Sequence, residues 1–304
     1  MSPPRSSPPP LLVLAGVLAA FAFAILAAAP IHAGLGAMIS GLPFAKVFRY
    51  LLLVSLLCVF AWATKPWRQV PSDLWGLRGR PRLDLWARGV AIGVTLLVAI
   101  ALLDAAAGHL SWDGAKGVSK LVKRLPTILT LLLVLAPIEE MFFRGWLFDR
   151  FAGRFSARTA HLSVAGVFAG IHAFRESDAP KNLSASAAGA VEVLAAWGRN
   201  LLDWRGFGPS FVGLFLLSLV LSAARRRWGT LWFSVGLHGA AAAWLHVHSS
   251  LTERSVERDW TGSKWLYDGV PGWAVLLTVL YLVALRPAAA PRAPVSSGDA
   301  PTTR

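Results

Sequence analysis

Ala136-Pro137-Ile138-Glu139-Glu140-Met141-Phe142-Phe143-Arg144-Gly145-Trp146 decides how this chain is read. Two adjacent carboxylates and an arginine follow an uncharged run, Leu125 to Ile138, and precede another apolar patch, Gly145 to Phe148. The three ionisable groups therefore fall inside the membrane, near one end of a spanning helix. Such groups are costly there and mark a functional site by default. Glu140 and Arg144 are four apart, with the acid N-terminal, which is the favoured order for a helical ion pair. Glu139 lies about 100° around the helix from Glu140. It shares its face with Phe142 and Phe143, which offer no counter-charge. Glu140 is thus expected to be held ionised by Arg144. Glu139 is expected to stand unpaired in low-dielectric surroundings, a setting that suits general-base work. Pro137 deletes the backbone donor to the carbonyl of residue 133 and should bend the helix beside the carboxylates.

The composition agrees with a membrane setting. Of 304 residues 55% are hydrophobic and only 15% charged, and the mean hydropathy is +0.55. That is the profile of a multi-spanning membrane protein. The net charge of +14 reads as loop charge facing anionic lipid. The basic residues are scattered between spans and form no recognition helix, so nucleic acid is not expected as a partner. The single cysteine, Cys58, excludes a disulfide framework and a cysteine metal cluster. It sits in an apolar run and is expected to be inert packing.

Apolar runs predict an all-α, polytopic fold with about eight transmembrane helices: 11–29, 47–64, 89–107, 126–148, 160–174, 208–224, 229–248 and 272–285. Residues 1–10 and 286–304 are Pro-rich and expected to be disordered. Between them, 11–107 forms N-terminal membrane helices with a basic loop, and 108–248 a catalytic core. Residues 249–285 form an external loop and last helix. Residues 108–124 read as a polar connector, and 184–197 as a surface or re-entrant helix. Gly166 and Gly170 form a small-xxx-small pair expected to admit a close neighbour. The basic connectors 65–88, 150–158 and 225–227 fall on one side with both termini, so that side is expected to be cytoplasmic. The localisation expected is an inner or plasma membrane.

His172 follows Phe168 by four residues on one helix face, and His238 sits in a separate apolar stretch. Two intramembrane histidines at depths compatible with a glutamate suggest one shared site. At this point the sequence resembles the CAAX protease/bacteriocin-processing family, which contains the Ras-converting prenyl-protein endopeptidases. Glu139-Glu140-xxx-Arg144, Phe168-xxx-His172 and the later His238 match its three motifs in order, and the resemblance covers roughly residues 74–248. It implies a glutamate-type intramembrane endopeptidase. Glu139 would activate water with His172, Glu140 and Arg144 would form the supporting ion pair, and His238 would stabilise the oxyanion. The family's third motif usually adds an asparagine four residues later, where this chain has Ala242. Ser234 or His246 could supply the missing donor; otherwise the chain is a non-catalytic scaffold or immunity-type relative. The partners implied are membrane lipid and a protein or peptide substrate, either a prenylated C-terminal peptide or a leader peptide. No cofactor is expected. Zinc on one glutamate and two histidines is the alternative, weakened because the chain has no His-Glu-x-x-His helix.

Overall fold

The computed structural model describes residues 10–39, 41–64, 81–112, 114–172, 183–254, 260–263 and 265–284. The terminal segments expected to be disordered fall almost entirely outside these residues, as does the basic loop between 65 and 80. The fold is mostly helical. Helices α1 (Pro10–Gly36) and α2 (Phe44–Thr64) form an N-terminal hairpin, followed by α3 (Leu83–Ala106) and a three-residue strand β1 (Leu110–Trp112). A long helical path then runs from Gly114 to Ala152: α4 (Gly114–Thr130), α5 (Ala136–Glu140) and α6 (Phe148–Ala152). Then come α7 (Ala157–Ile171), α8 (Ala187–Leu202), α9 (Trp204–Trp228), α10 (Trp232–Leu251), strand β2 (Thr252–Arg254) and α11 (Val270–Ala284).

Among the described residues, four helices are long and apolar enough to cross a membrane: 14–36, 83–106, 117–152 and 204–228. Helix α11 is a shorter apolar one. The chain is thus a helical integral membrane protein, and the expectation of about eight spans holds only in that coarser form. The polar connector expected at 108–124 is a correction. From Gly114 it is already helix, continuous with the span that follows. Val118, Val122, Leu125, Leu129 and Leu133, spaced three or four apart, are exposed, and Gly117, Leu121, Arg124 and Ile128 form the face turned towards the bundle. Arg124 on that inward face donates through Nη1 to Ser249 Oγ and Ser250 Oγ of α10, at 2.8 and 3.2 Å. One charge that reads as connector in the sequence, Arg124, is thus satisfied inside the bundle, while Lys120 and Lys123 stay exposed.

Helices α3 and α10 form the tightest pair and run parallel. A Cβ at Gly89 would collide with the backbone of Phe233 and Leu237, and one at Gly236 with the carbonyl of Trp86. Lipid tails are as apolar as leucine, so close backbone packing replaces hydrophobic burial as the adhesive. The glycine pair expected to do this, Gly166 and Gly170, meets nothing within 4 Å. The close approach lies on another helix pair. Helix α8 buries one face, Ala190, Val193 and Trp197, in one core with Ala24, Ala28 and Phe48, and exposes the other, with Val191, Glu192 and Leu202. Cys58 is exposed and is not core packing.

One end of the bundle is tied by β1 and β2, which pair antiparallel with Leu110 opposite Arg254. Arg254 is bonded there to the buried Asp104 and donates to Thr261 Oγ1. At the opposite end Arg225 of α9 meets Asp149 of α6 at 3.3 Å. The path through α4 to α6 therefore spans the bundle from one end to the other, and the two glutamates lie part-way along it.

Candidate functional site

The helical path is not uniformly α. Leu131–Leu135 and Met141–Leu147 are π-helical and flank α5, the five residues that carry both glutamates. Pro137 brings no N–H to the ladder, and just before it the Ala136 N–H donates to the Leu131 carbonyl, five residues back. The expected bend is thus taken up as wider turns on either side of the carboxylates. Such segments recur at functional sites, where they re-aim side chains.

Glu140 and Arg144 are 0% and 1% exposed, and Arg144 Nη1 donates to Glu140 Oε1 at 2.8 Å. The expected pair is present, with its i, i+4 spacing intact across the change of helical register. Arg144 Nη2 donates to Ser218 Oγ on α9 at 2.8 Å. Its guanidinium carbon also lies 4.5 Å from the Phe168 ring centroid. The cation is therefore met by a carboxylate, a hydroxyl and an aromatic face, from three segments of the bundle. A buried charge persists only when compensated in this way.

His238, near the middle of α10, joins the glutamates. Its Nδ1 lies 2.9 Å from Glu140 Oε1, and its Nε2 lies 3.6 Å from Glu139 Oε2. A carboxylate paired with arginine only accepts, so Nδ1 is the donor. Glu139, 25% exposed at its side chain, is therefore not without a polar neighbour as expected. The imidazole spans both acids. Tertiary packing supplies what the local helix face could not show.

His172 caps α7. Its Nδ1 donates to the Phe168 carbonyl at 2.7 Å. The Phe168 ring packs against both histidines, with centroids 4.7 Å from His172 and 5.6 Å from His238. Phe168 is thus a shared wall for the two imidazoles and for Arg144. Beneath it Phe143, Leu147, Val164 and Leu214 complete an apolar floor.

A cavity of about 1110 Å³ opens onto this group, with Phe168, His172, His238 and Ala242 in its lining. Glu139 is not part of its wall and meets it through His238. Ala242 holds the place, one turn beyond His238, where the resemblance leads one to expect asparagine. Ser234, one of the two candidate substitutes, is fully buried and donates its hydroxyl to the Leu221 carbonyl at 2.9 Å, so it is committed to α9 and does not face the cavity. His246 does line the cavity. Among the described residues no group of three His, Cys, Asp or Glu side chains is arranged to hold a metal ion.

The contribution missed from sequence is Ser218. Its signal was a lone hydroxyl in the apolar run Leu214 to Leu221, but nothing local ties it to Arg144, 74 residues away.

Compared with known proteins, residues 121–244 match the family model described as type II CAAX prenyl endopeptidase Rce1-like. No curated protein and no solved structure matches the chain. The matched stretch contains Glu139, Glu140, Arg144, His172 and His238, and over that stretch the chain is similar to the Rce1-like family.

Proposed function

We propose that this Rce1-like membrane protein is an intramembrane endopeptidase that hydrolyses a peptide bond of a membrane-associated substrate with water activated by Glu139. The observation that carries the reading is the placement of His238 between two carboxylates at the wall of a large cavity, one carboxylate locked to a buried arginine and the other not. Like groups in unlike surroundings are how one site divides its labour.

Glu139 takes a proton from water as the oxygen attacks the scissile carbonyl. His172 shares in orienting that water. The carbonyl oxygen becomes an oxyanion and accepts a hydrogen bond from His238 Nε2–H, while Nδ1–H stays on Glu140. The proton held by Glu139 then passes to the leaving amine as the C–N bond breaks, giving a carboxylic acid and an amine and restoring the base. Glu140, Arg144 and Ser218 do not touch the reacting atoms. They hold the ring in place and stabilise it as an imidazolium, with an N–H on each nitrogen, as a carboxylate beside a catalytic histidine does. The substrate is proposed to be a prenylated C-terminal peptide or a leader peptide, entering from lipid into the apolar cavity.

The test is peptide release in proteoliposomes from a panel of prenylated and leader peptides, wild type beside Glu139→Gln. Cleavage by wild type and its loss in the variant is the expected result. Ala242 favours one rival, a non-catalytic scaffold. That rival stands if no peptide is cleaved while Glu139→Gln still supports the cellular role.

A further inference from the structure

The oxyanion proposed above has one donor, His238, and Ala242 stands where a second is expected. Residues 265–269, beyond the stretch matched to the family, bring another polar group to the same cavity. Trp265 and Tyr267 line it. Leu266 between them is fully buried in one cluster with Leu97 and Ile100 of α3. Its φ of 63° is the only positive value for a non-glycine among the described residues. Such an outlier persists only where its surroundings over-determine it, and these outliers gather at working sites. Here the surroundings do so on both sides of Tyr267. Leu266 is 0% exposed and Asp268 2%. Asp268 accepts from the N–H and the hydroxyl of Ser263, at 2.8 and 2.6 Å, and from Ser210 Oγ of α9 at 3.4 Å. Tyr267, only partly buried between these anchors, is held facing the cavity.

Helix register gives its depth. Helices α9 and α10 are consecutive and antiparallel, and the Ser234 hydroxyl of α10 meets the Leu221 carbonyl of α9. Arg144 bridges Ser218 of α9 to Glu140, which in turn holds His238 of α10. Both links put His238 level with Leu217 and Ser218. Ala242 lies one turn further, about 6 Å along α10, and the residue level with it on α9 is Gly213. A Cβ at Gly213 would collide with the Tyr267 carbonyl and lie 2.9 Å from Cδ2 of its ring. The ring packs against both clusters beside the site, one with Phe168 and Leu214, the other with Leu217 and Leu237. Tyr267 therefore stands on the α9 side at the depth of Ala242. His246 is eight residues past His238, about 12 Å along α10, too far to share one oxygen with it.

Resting on the endopeptidase reading above, we infer that the Tyr267 hydroxyl is the second donor to the oxyanion, acting with His238 Nε2–H. As the tetrahedral carbon forms, its oxygen accepts one hydrogen bond from each. The phenol keeps its proton throughout. A donor fixed in advance by its backbone costs no reorganisation when charge develops. Ala242 still faces the open cavity, so an amide there would add a donor from the α10 side.

Two readouts on the full chain in proteoliposomes test this. One is release of peptide from an S-farnesylated substrate. The other is binding of its phosphinate analogue, whose tetrahedral anionic centre copies the intermediate, beside the parent amide. Wild type should bind the phosphinate at least about a hundredfold more tightly. In Tyr267→Phe kcat should fall by about a hundredfold or more with KM little changed. The phosphinate preference should shrink alongside, and Ala242→Asn added to that variant should restore part of both. Gly213→Ala, which pushes the Tyr267 segment off α9 and leaves the phenol intact, should act in the same direction and serves if Tyr267→Phe does not fold. Turnover and phosphinate preference untouched in Tyr267→Phe overturn the inference and leave the endopeptidase standing. So does a loss confined to KM, or one seen in Trp265→Phe and not in Tyr267→Phe. A phosphinate preference that needs Tyr267, without cleavage, keeps the donor and removes the endopeptidase. Equal binding of both probes by wild type, without cleavage, removes both.

Discussion

Replacing Glu140 with glutamine removes the charge around which the site is assembled. Its Oε1 accepts from both Arg144 Nη1 and His238 Nδ1, at 2.8 and 2.9 Å. In Glu140→Gln, Arg144 keeps Ser218 and the Phe168 ring but loses its counter-charge while still fully buried. Breaking a buried pair from one side costs about 3–5 kcal/mol. A glutamine carbonyl at Oε1 can still accept from both donors and only the charge is lost, which puts the change at the lower end of that range. With about 2–4 °C of Tm per kcal/mol for a large domain, the midpoint should fall by about 6–12 °C. The assay is thermal unfolding in detergent, followed by tryptophan fluorescence; the chain has 14 tryptophans. Glu139→Gln is the internal comparison. Its carboxylate is partly exposed and its nearest partner is an imidazole nitrogen 3.6 Å away, so its midpoint should move by no more than about 1 kcal/mol in equivalent stability. A double variant, Glu140→Gln with Arg144→Met, should recover much of the loss, because removing both charges leaves no ion stranded in a dry site. If Glu139→Gln proves the more destabilising of the two, the division into a structural and a working glutamate is wrong.

Other outcomes follow from the same geometry. Ser218→Ala should lower stability by about 1.5–3 kcal/mol, the usual worth of a hydrogen bond to a charged group, and a full-strength midpoint in that variant would mean the contact is idle. Ala242→Asn adds an amide one turn from His238, so kcat for peptide release should rise, and the gain should vanish in the Glu139→Gln background. A fall in kcat instead would mean the position is already filled in the working enzyme. Reporter fusions after residues 75, 155, 226 and 295 should all read cytoplasmic by the positive-inside bias, and an external reading after 226 would invert the topology.

The legible parts of the site were those encoded within one helix turn. Glu140 and Arg144 face each other because four residues make about one turn, and no tertiary information is needed to see it. The bond from His238 to Glu140 crosses 98 residues; the sequence shows two polar groups at compatible depth, not which oxygen they share. Glu139 has no counter-charge on its own helix face, and its imidazole neighbour, His238 at 3.6 Å, comes from α10. The buried face of α8 is legible in the recurrence of Ala190, Val193 and Trp197, but the core it joins, with Ala24, Ala28 and Phe48, lies in distant helices that the sequence does not connect. Residues 114–124 read as connector because their lysines and arginine are counted together, whereas Lys120 and Lys123 stay exposed and only Arg124 turns to serines on α10. Glycine spacing was legible as a motif on α7, yet the close approach occurs at Gly89 and Gly236, because what a glycine meets depends on which helix arrives.

The π-helical turns on both sides of α5 give the chain slack. A wide turn holds one residue more than the α-helical path needs, so the count of residues and the direction of the side chains are uncoupled at two points, Leu131–Leu135 and Met141–Leu147. Loss of one residue within the first segment would tighten it to an ordinary turn and still deliver the glutamates to His238. Loss of one within Ala136–Glu140 would rotate one acid away from the imidazole by about 100°. The helix can therefore drift in length around its carboxylates while their aim is kept, and a related chain is better superposed by the faces its helix presents than by counting residues from its start.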